Sequence, residues 1–300
     1  MSQVWVAGEV LIDLIPDGKH RKPIVGGGPA NTAIALAKLG ISTQFIDGIS
    51  TDKYGQMAKS ALDNVGVMLD YAKYSDKPTC LAIVSLSQTG AASYEFLIEN
   101  TATFDYTPDW LPDPSSKNPS LLYIGTLATA IEPGASVLFS WAQFVAKVAP
   151  IVFDPNVRPD VMSNRDEYVA QVERWVGISS AVKVSNDDLY WLYPSIEIDQ
   201  IVNNWLAKGP SLIVVTYGDK GLAGYRMGEK VSVDAVKVLV ADTVGAGDTV
   251  GATLVEVIVK DGLNTLSGVR LEMMLKRAAK AAAITISRSG ANPPTLKEIE

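Results

Sequence analysis

One stretch of the chain combines residue types that can do chemistry: Asp242-Thr243-Val244-Gly245-Ala246-Gly247-Asp248-Thr249, which runs straight into the apolar helix pattern of Val250, Leu254, Val257 and Ile258. Two glycines with only an alanine between them let a backbone approach another group closely. The first amides of a helix have no internal partner, and the helix dipole places partial positive charge beside them. The amides of Gly245, Ala246, Gly247 and Asp248 would therefore aim at one point in front of the helix, an anion hole made without lysine or arginine. A carboxylate at the lip of such a hole repels phosphate. Asp248 makes sense there as a general base facing a hydroxyl nucleophile, accepting its proton while the amides hold the developing charge. The plainer reading of Asp248 is a helix N-cap, and residue type alone does not separate the two.

Other chemistries fail for want of residues. The single histidine, His20, lies in the charged, turn-like stretch Asp17-Gly18-Lys19-His20-Arg21-Lys22 and reads as a solvated surface residue. It leaves no H-E-x-x-H pattern, no histidine-rich metal site and a poor candidate for a serine hydrolase triad. The single cysteine, Cys80, excludes an intrachain disulfide and a cysteine-rich zinc site. No G-x-x-x-x-G-K-[ST] occurs, because His20 follows the one Gly-Lys pair, Gly18-Lys19. Gly26-Gly27-Gly28-Pro29-Ala30-Asn31 misses G-x-G-x-x-G at its last position. The chain is thus neither an ordinary P-loop nucleotide triphosphatase nor a plain dinucleotide binder.

The elements that must position these residues alternate. Val4 to Gly8 reads as a buried strand, Ala30 to Leu39 as a helix opened by Pro29 and stopped by Gly40, Thr43 to Ile49 as a strand, and Met57 to Val65 as a helix closed by Gly66. From Thr79 to Glu99 the helix period vanishes. Cys80 to Leu86 and Ser93 to Glu99 flank a turn at Gln88-Thr89-Gly90, which predicts a hairpin. Beyond the Pro/Ser-rich connector from Pro108 to Pro119, strands at Leu121–Ile124, Ile151–Phe153, Ala181–Val184 and Leu212–Thr216 are spaced by helices at Ala135–Val148, Asp166–Val176 and Ile198–Lys208. Such spacing implies right-handed crossovers and a mostly parallel sheet with helices on both faces. Gly221 to Val236 reads as an edge hairpin, and two long helices, about 248–260 and 271–286, finish the chain.

Composition bounds the partners. With 300 residues, 47% hydrophobic and 20% charged, the chain has ample core for one large or two smaller domains. Lys plus Arg number 26 against 33 Asp plus Glu, a net charge of −7 that argues against a nucleic-acid partner. A local anion site remains compatible with it. Glu9 and Asp13 interrupt the N-terminal apolar run, which therefore does not read as a secretory signal, and Gln143, Lys147 and Pro150 break the longest apolar stretch. No membrane partner and a reducing cytoplasmic setting are expected.

Gly26-Gly27-Gly28-Pro29-Ala30-Asn31-Thr32-Ala33 and Asp242-Thr243-Val244-Gly245-Ala246-Gly247-Asp248 together resemble the two signatures of the ribokinase-like carbohydrate kinases. Asp154-Pro155-Asn156-Val157-Arg158-Pro159, Thr216-Tyr217-Gly218-Asp219-Lys220-Gly221 and Ser289-Gly290-Ala291-Asn292-Pro293-Pro294 extend the match over nearly the whole chain in the family's order. The Gly-Pro-Ala-Asn variant with Asp-Pro-Asn-x-Arg-Pro is most similar to fructokinases. The resemblance implies a single domain over 1–300, a three-layer α/β/α body with a mostly parallel central sheet, and a small β lid from about 14–23 and 79–106 that excludes water competing with the sugar.

It also implies roles. Asp248 is the base, with Gly245, Ala246 and Gly247 in the anion hole. Asp13, Gly27, Asn31 and Arg158 serve the sugar; Thr216, Gly218, Gly221 and Asn292 serve the nucleotide. ATP is the donor and Mg²⁺ its companion; K⁺ is implied beside Asp242 and Thr243. One departure stands out: the family's Asn-x-x-Glu motif is replaced, when registered on Leu192, by Ser185 and Asp188, and Asn186 fits only with a shift of one residue. Asp188 is then the residue to order magnesium-bound water. The implied function is transfer of the γ-phosphate of ATP to O6 of fructose. The rivals are 2-keto-3-deoxygluconate kinase, another sugar or nucleoside kinase of the family, and a non-catalytic sugar or nucleotide sensor. Lids of this type suggest a homodimer formed through them.

Overall fold

Val4–Ala7 (β1) is apolar and buried along its whole length, as a strand covered on both faces must be. The structure is a computed structural model that describes residues 3–86, 92–162 and 164–300. After β1 come the hairpin Leu11–Asp17 (β2) and His20–Gly26 (β3), the helix Gly28–Lys38 (α1), Thr43–Ile46 (β4), Gly48–Ser50 (β5), Lys53–Asp63 (α2) and Lys73–Ser75 (β6). A second hairpin, Leu81–Leu86 (β7) and Ala92–Leu97 (β8), precedes Pro114–Lys117 (α3), Leu121–Gly125 (β9) and Gly134–Val145 (α4). Then follow Ile151–Asp154 (β10), Arg165–Ile178 (α5), Ala181–Ser185 (β11), Asn186–Leu192 (α6), Ile198–Leu206 (α7) and Leu212–Thr216 (β12). The edge hairpin Leu222–Arg226 (β13) and Glu229–Val233 (β14) leads to Ala246–Asp261 (α8), Gly268–Ile286 (α9) and Leu296–Ile299 (α10).

Eight strands make one sheet in the order β14-β13-β12-β11-β10-β9-β1-β4. The strands from β12 to β4 run parallel, and β13 and β14 turn back antiparallel at one edge. Side chains alternate across it. Val4, Val6, Tyr123, Val152 and Val214 pack with α1, α2, α8 and α9. Trp5, Ile124, Phe153, Val184 and Val215 pack with α4, α5, α6 and α7. This is the expected three-layer body. Among the described residues no helix is long and apolar enough to cross a membrane.

The lid is a second sheet, β3-β2-β7-β8. Its first hairpin reaches from 11 to 26, beyond the expected 14–23, because β2 and β3 stay paired from Asp17↔His20 to Leu11↔Gly26. Its second contribution is β7 and β8 only, short of the expected 79–106; Thr101, Thr103, Phe104 and Tyr106 are already buried. The turn expected at Gln88-Thr89-Gly90 lies outside the described residues. His20 is exposed at the hairpin end, as expected.

Two other expectations shift. The strand expected over 43–49 breaks at Asp47, whose buried carboxylate accepts Val10 N–H and the Tyr106 hydroxyl, both at 2.9 Å. The helix expected from Met57 begins at Lys53, because Asp52 accepts the Tyr54 and Gly55 amides at 2.9 and 2.8 Å.

Candidate active site

The parallel strands end on one side of the body, beneath the lid, and α8 starts there. Gly245, at φ 80°, occupies the cap position without a side-chain cap, and Asp248 is the third residue of the helix. The N-cap reading of Asp248 is therefore excluded. The first ladder bond of α8 runs from Thr249 N–H to the Gly245 carbonyl at 2.9 Å. The amides of Ala246, Gly247 and Asp248 precede that ladder; Ala246 N–H makes only a 3.4 Å turn contact with the Thr243 carbonyl.

Asn31 Nδ2 donates to Asp248 Oδ2 at 2.8 Å, joining the start of α1 to the start of α8. Burial raises Asp248 to about 6; Lys183, Asn31 and Arg158 hold it down and Asp154 pushes it up. A methyl group on Gly28 would lie 2.8 Å from Thr126 Cγ2, 3.1 Å from Asn156 Nδ2 and 3.3 Å from Asp248 Oδ1, so only a glycine leaves space there. Gly27, at φ 105°, caps α1, and a side chain on it would strike the Glu9 carbonyl at 2.4 Å. Asp13 lies within lid strand β2, and a side chain on Gly26 would meet its carboxylate at 2.3 Å. Burial raises Asp13 to about 6, and Arg158 opposes the rise. The structure thus gathers Asp248, Asn31, Asp13 and Arg158 about one small space.

Arg158 is placed by its own loop. Its Nη1 donates to Asn156 Oδ1 at 2.7 Å and to the Asn156 carbonyl at 3.1 Å, and its amide donates to the Tyr168 hydroxyl at 3.1 Å. Asn156 adopts φ 39°, an uncommon conformation that asparagine tolerates. Asp188 secures the loop. Its Oδ1 accepts Val157 N–H at 2.9 Å and its Oδ2 accepts Ser185 N–H at 3.1 Å, while Ser185 Oγ caps Asp188 N–H at 3.0 Å. Both oxygens of the carboxylate implied for magnesium thus already bind backbone amides.

The residues implied for the nucleotide and for potassium lie at the end of β12, in the turn after it, and in the loops before α8 and after α9. Asp242 Oδ1 accepts Val244 N–H at 3.1 Å and Oδ2 accepts Gly290 N–H at 2.9 Å, tying the loop before α8 to the loop after α9. Gly245 packs on Ala291, 2.8 Å from where its own side chain would begin. Asn292 is exposed, and its Oδ1 accepts from Lys38 Nζ at 2.8 Å. Thr216 ends β12 beside Ser185, and Gly218, at φ 58°, opens the turn after it. Gly221, at φ 103°, lies beneath the crossing chain, where a side chain would meet the Val233 carbonyl at 2.1 Å. Its immediate duty is backbone passage.

Four residues of the site escaped the sequence. Glu9 accepts the hydroxyl of Thr126 and, at 3.1 Å, the amide of Ala128; burial raises it to about 7. It thereby holds Thr126, at φ 57°, against Gly28. Lys183 and Asp154 form a buried ion pair at 3.0 Å. Asp154 begins the quoted Asp-Pro-Asn segment and Lys183 precedes Ser185, but no local pattern pairs them. Among the described residues no group of three or more His, Cys, Asp or Glu could cage a metal. A separate cleft of about 550 Å³, lined by residues including Tyr217, Lys220, Lys230 and Lys276, lies at the β14 edge and shares no residue with the Asp248 cluster.

Residues 1–298 match the family described as pfkB family carbohydrate kinase. A fructokinase of Rhizobium leguminosarum bv. trifolii is 34% identical over 267 residues, covering 87% of this chain and 81% of the relative. A Xylella fastidiosa fructokinase structure with bound ATP superposes with a TM-score of 0.92 at 22% identity, covering 99% of this chain and 96% of the other, a likeness of fold. A double-mutant fructokinase of Vibrio cholerae O395, solved with fructose, ADP and potassium ion, gives 0.84 at 27% identity, covering 97% and 94%. The chain belongs to the pfkB family of carbohydrate kinases and has its ribokinase-like fold. It is an ATP-dependent sugar kinase.

Proposed function

We propose that the sugar is fructose and that Asp248 takes the proton from its O6 hydroxyl. The observation that carries the mechanism is the buried Asp248 carboxylate beside the opening amides of α8, bound by Asn31 at 2.8 Å. As the O6–H proton passes to Asp248, the oxygen attacks the γ-phosphorus of ATP. The bond from that phosphorus to the bridging oxygen breaks and ADP leaves. The amides of Gly245, Ala246, Gly247 and Asp248 face the charge on the transferring group. Asp13, Asn31, Arg158 and the glycine backbone at Gly27 position the sugar, and the lid keeps water from replacing it. Thr216, Gly218, Gly221 and Asn292 border the nucleotide.

Magnesium fits here as an ion carried by the nucleotide's phosphates, since the described residues offer no cage and Asp188, whose two oxygens already accept backbone amides, would act on it through water. When bound it would supply the positive charge that offsets the negative charge of the nucleotide's phosphates. Potassium fits beside Asp242 and the Thr243 carbonyl, oxygen donors at the junction of two loops. The identity of the fructokinases among its relatives supports fructose. Pairing of two copies through the lid is part of the same reading, and a solution mass of one chain would refute it.

The test is a coupled assay over fructose, ribose, adenosine and 2-keto-3-deoxygluconate. Fructose 6-phosphate should form fastest. A preference for 2-keto-3-deoxygluconate would assign Arg158 to a substrate carboxylate, and binding without ADP release would make the chain a sensor. Wild-type turnover in Asp248→Asn would refute the mechanism.

A further inference from the structure

We infer that Lys183 is a positioning residue for phosphoryl transfer: its ion pair with Asp154 lies beneath the first turn of α8 with the cationic end against Gly247, strengthening the anion hole from behind. The inference rests on the reading of α8 given above. Strands β10 and β11 run side by side in register at Val152↔Ala181 and Phe153↔Val182, which carries Asp154 and Lys183 to neighbouring positions under the helix. Lys183 Nζ lies 3.0 and 3.3 Å from the two Asp154 oxygens, and Tyr123 donates its hydroxyl to Asp154 Oδ2 at 2.9 Å. The helix turns Gly247 and Gly251 toward this network. A methyl group on Gly247 would lie 2.8 Å from Lys183 Nζ, and one on Gly251 would lie 3.0 Å from the Tyr123 hydroxyl.

The placement is hard to explain as packing. A cation beside a helix N-terminus opposes the dipole. A buried ion pair is often replaceable by apolar side chains without loss of stability. Both objections lose force when an anion occupies the amides, because ammonium and dipole then attract the same charge. Burial disfavours the ammonium, but Asp154, Asp248 and Asp188 outweigh it and hold Lys183 above the ordinary lysine pKa. Asp154 ties down the far side of the ammonium, so the cation is presented to α8 in one place. The charged groups acting on Asp248 from the packed elements are Lys183, Asp154 and Arg158, with Asn31 as its hydrogen-bond donor and Tyr123 close by. Lys183 acts on it more strongly than Asp154 does. The pair therefore also favours the anionic base.

The decisive variant is the neutral, near-isosteric double substitution Lys183→Met/Asp154→Asn, which removes both members of the pair so that neither stays behind as a lone buried charge. Relative to wild type we expect kcat to fall about 100-fold, the loss typical of one missing anion-hole donor, with KM for the sugar unchanged. The acidic limb of kcat should move to higher pH. A kcat within threefold of wild type with an unmoved limb would overturn the inference. Should the double variant fail to fold, Gly247→Ala displaces the ammonium while keeping the pair and improving local helix propensity. Because the Gly247 amide belongs to the anion hole, the readout is the acidic limb of kcat: a limb moved to higher pH at constant sugar KM supports the inference, and a limb left in place overturns it. Wild-type protein that phosphorylates no sugar would sink the functional reading instead, so the two failures are distinguishable.

Discussion

Two opposed demands meet at Asp248. The base proposed here must be anionic, yet burial lifts this carboxyl from 3.8 to about 6. Activity should therefore fall as pH drops through about 6, where Asp248 gains its proton. Asn31→Ala removes a group that favours the anion, so its acidic limb should lie above that of wild type; an unshifted kcat profile would contradict this. Stability runs the other way. A raised folded pKa contributes stability fully present below 3.8 and lost as pH rises through about 6. Asp248→Asn should then be more stable than wild type at pH 7, by on the order of 1–3 kcal/mol, with the gap closing toward pH 4. The same variant should lose about 10²–10⁴-fold in kcat while still binding sugar and nucleotide by calorimetry. The sequence offered Asp248 as cap or base, because both occupy a helix start; the capping position of Gly245 decided against the cap. Lys183, Asp154 and Glu9 stayed hidden for a different reason. Their partners lie on other strands or loops, and ion pairs between strands leave no periodic trace.

The lid depends on its roots, and Asp47 joins two of them. Its carboxylate takes Val10 N–H at the start of the first lid hairpin and the Tyr106 hydroxyl after the second. Thr103 Oγ also bonds the Val10 carbonyl at 3.0 Å, so both excursions leave the body at one knot. Asp47→Ala leaves two buried donors unpaired, at about 1–3 kcal/mol each. Melting should detect that loss. Loosened roots should also raise KM for the sugar and let water compete for the phosphoryl group. The ratio of ADP released to sugar phosphate formed should therefore rise above the wild-type value. An unchanged ratio in a folded, destabilised variant would confine Asp47 to the fold. Most elements could be read in advance, since buried parallel strands are continuous apolar runs and amphipathic helices repeat at their own period. The break at Asp47 could not be, because β4 and β5 are divided by a tertiary hydrogen bond within one uninterrupted pattern. The early start of α2 is legible in principle from Asp52, a good capping residue, although the apolar signal is stronger after Met57. The short helices α3, α6 and α10 fall below the length at which any period shows.

Across the whole molecule, the site is assembled from both ends of the chain. The Asn31–Asp248 bond spans 217 residues, and Asp13 comes from the lid rather than the body. No local segment can build this space, so an apparent binding event requires the folded body and the closed lid together. A correct sugar must consequently stabilise the entire fold. At 100 times its dissociation constant a ligand bound only by the native state adds about 2.7 kcal/mol, or several degrees in Tm for a chain of this size. Fructose alone should raise Tm, and fructose with ADP should raise it further if the loops joined at Asp242 and Gly290 border the nucleotide as proposed. Ribose and adenosine at the same concentration should shift it less. The net charge of −7 makes the nucleotide's contribution depend on the local amides and cations rather than on the overall field, so moderate salt should diminish it only modestly. If fructose left Tm unchanged at concentrations that saturate turnover, the lid would not be closing on that sugar and fructose would not be the hexose this pocket was shaped to hold.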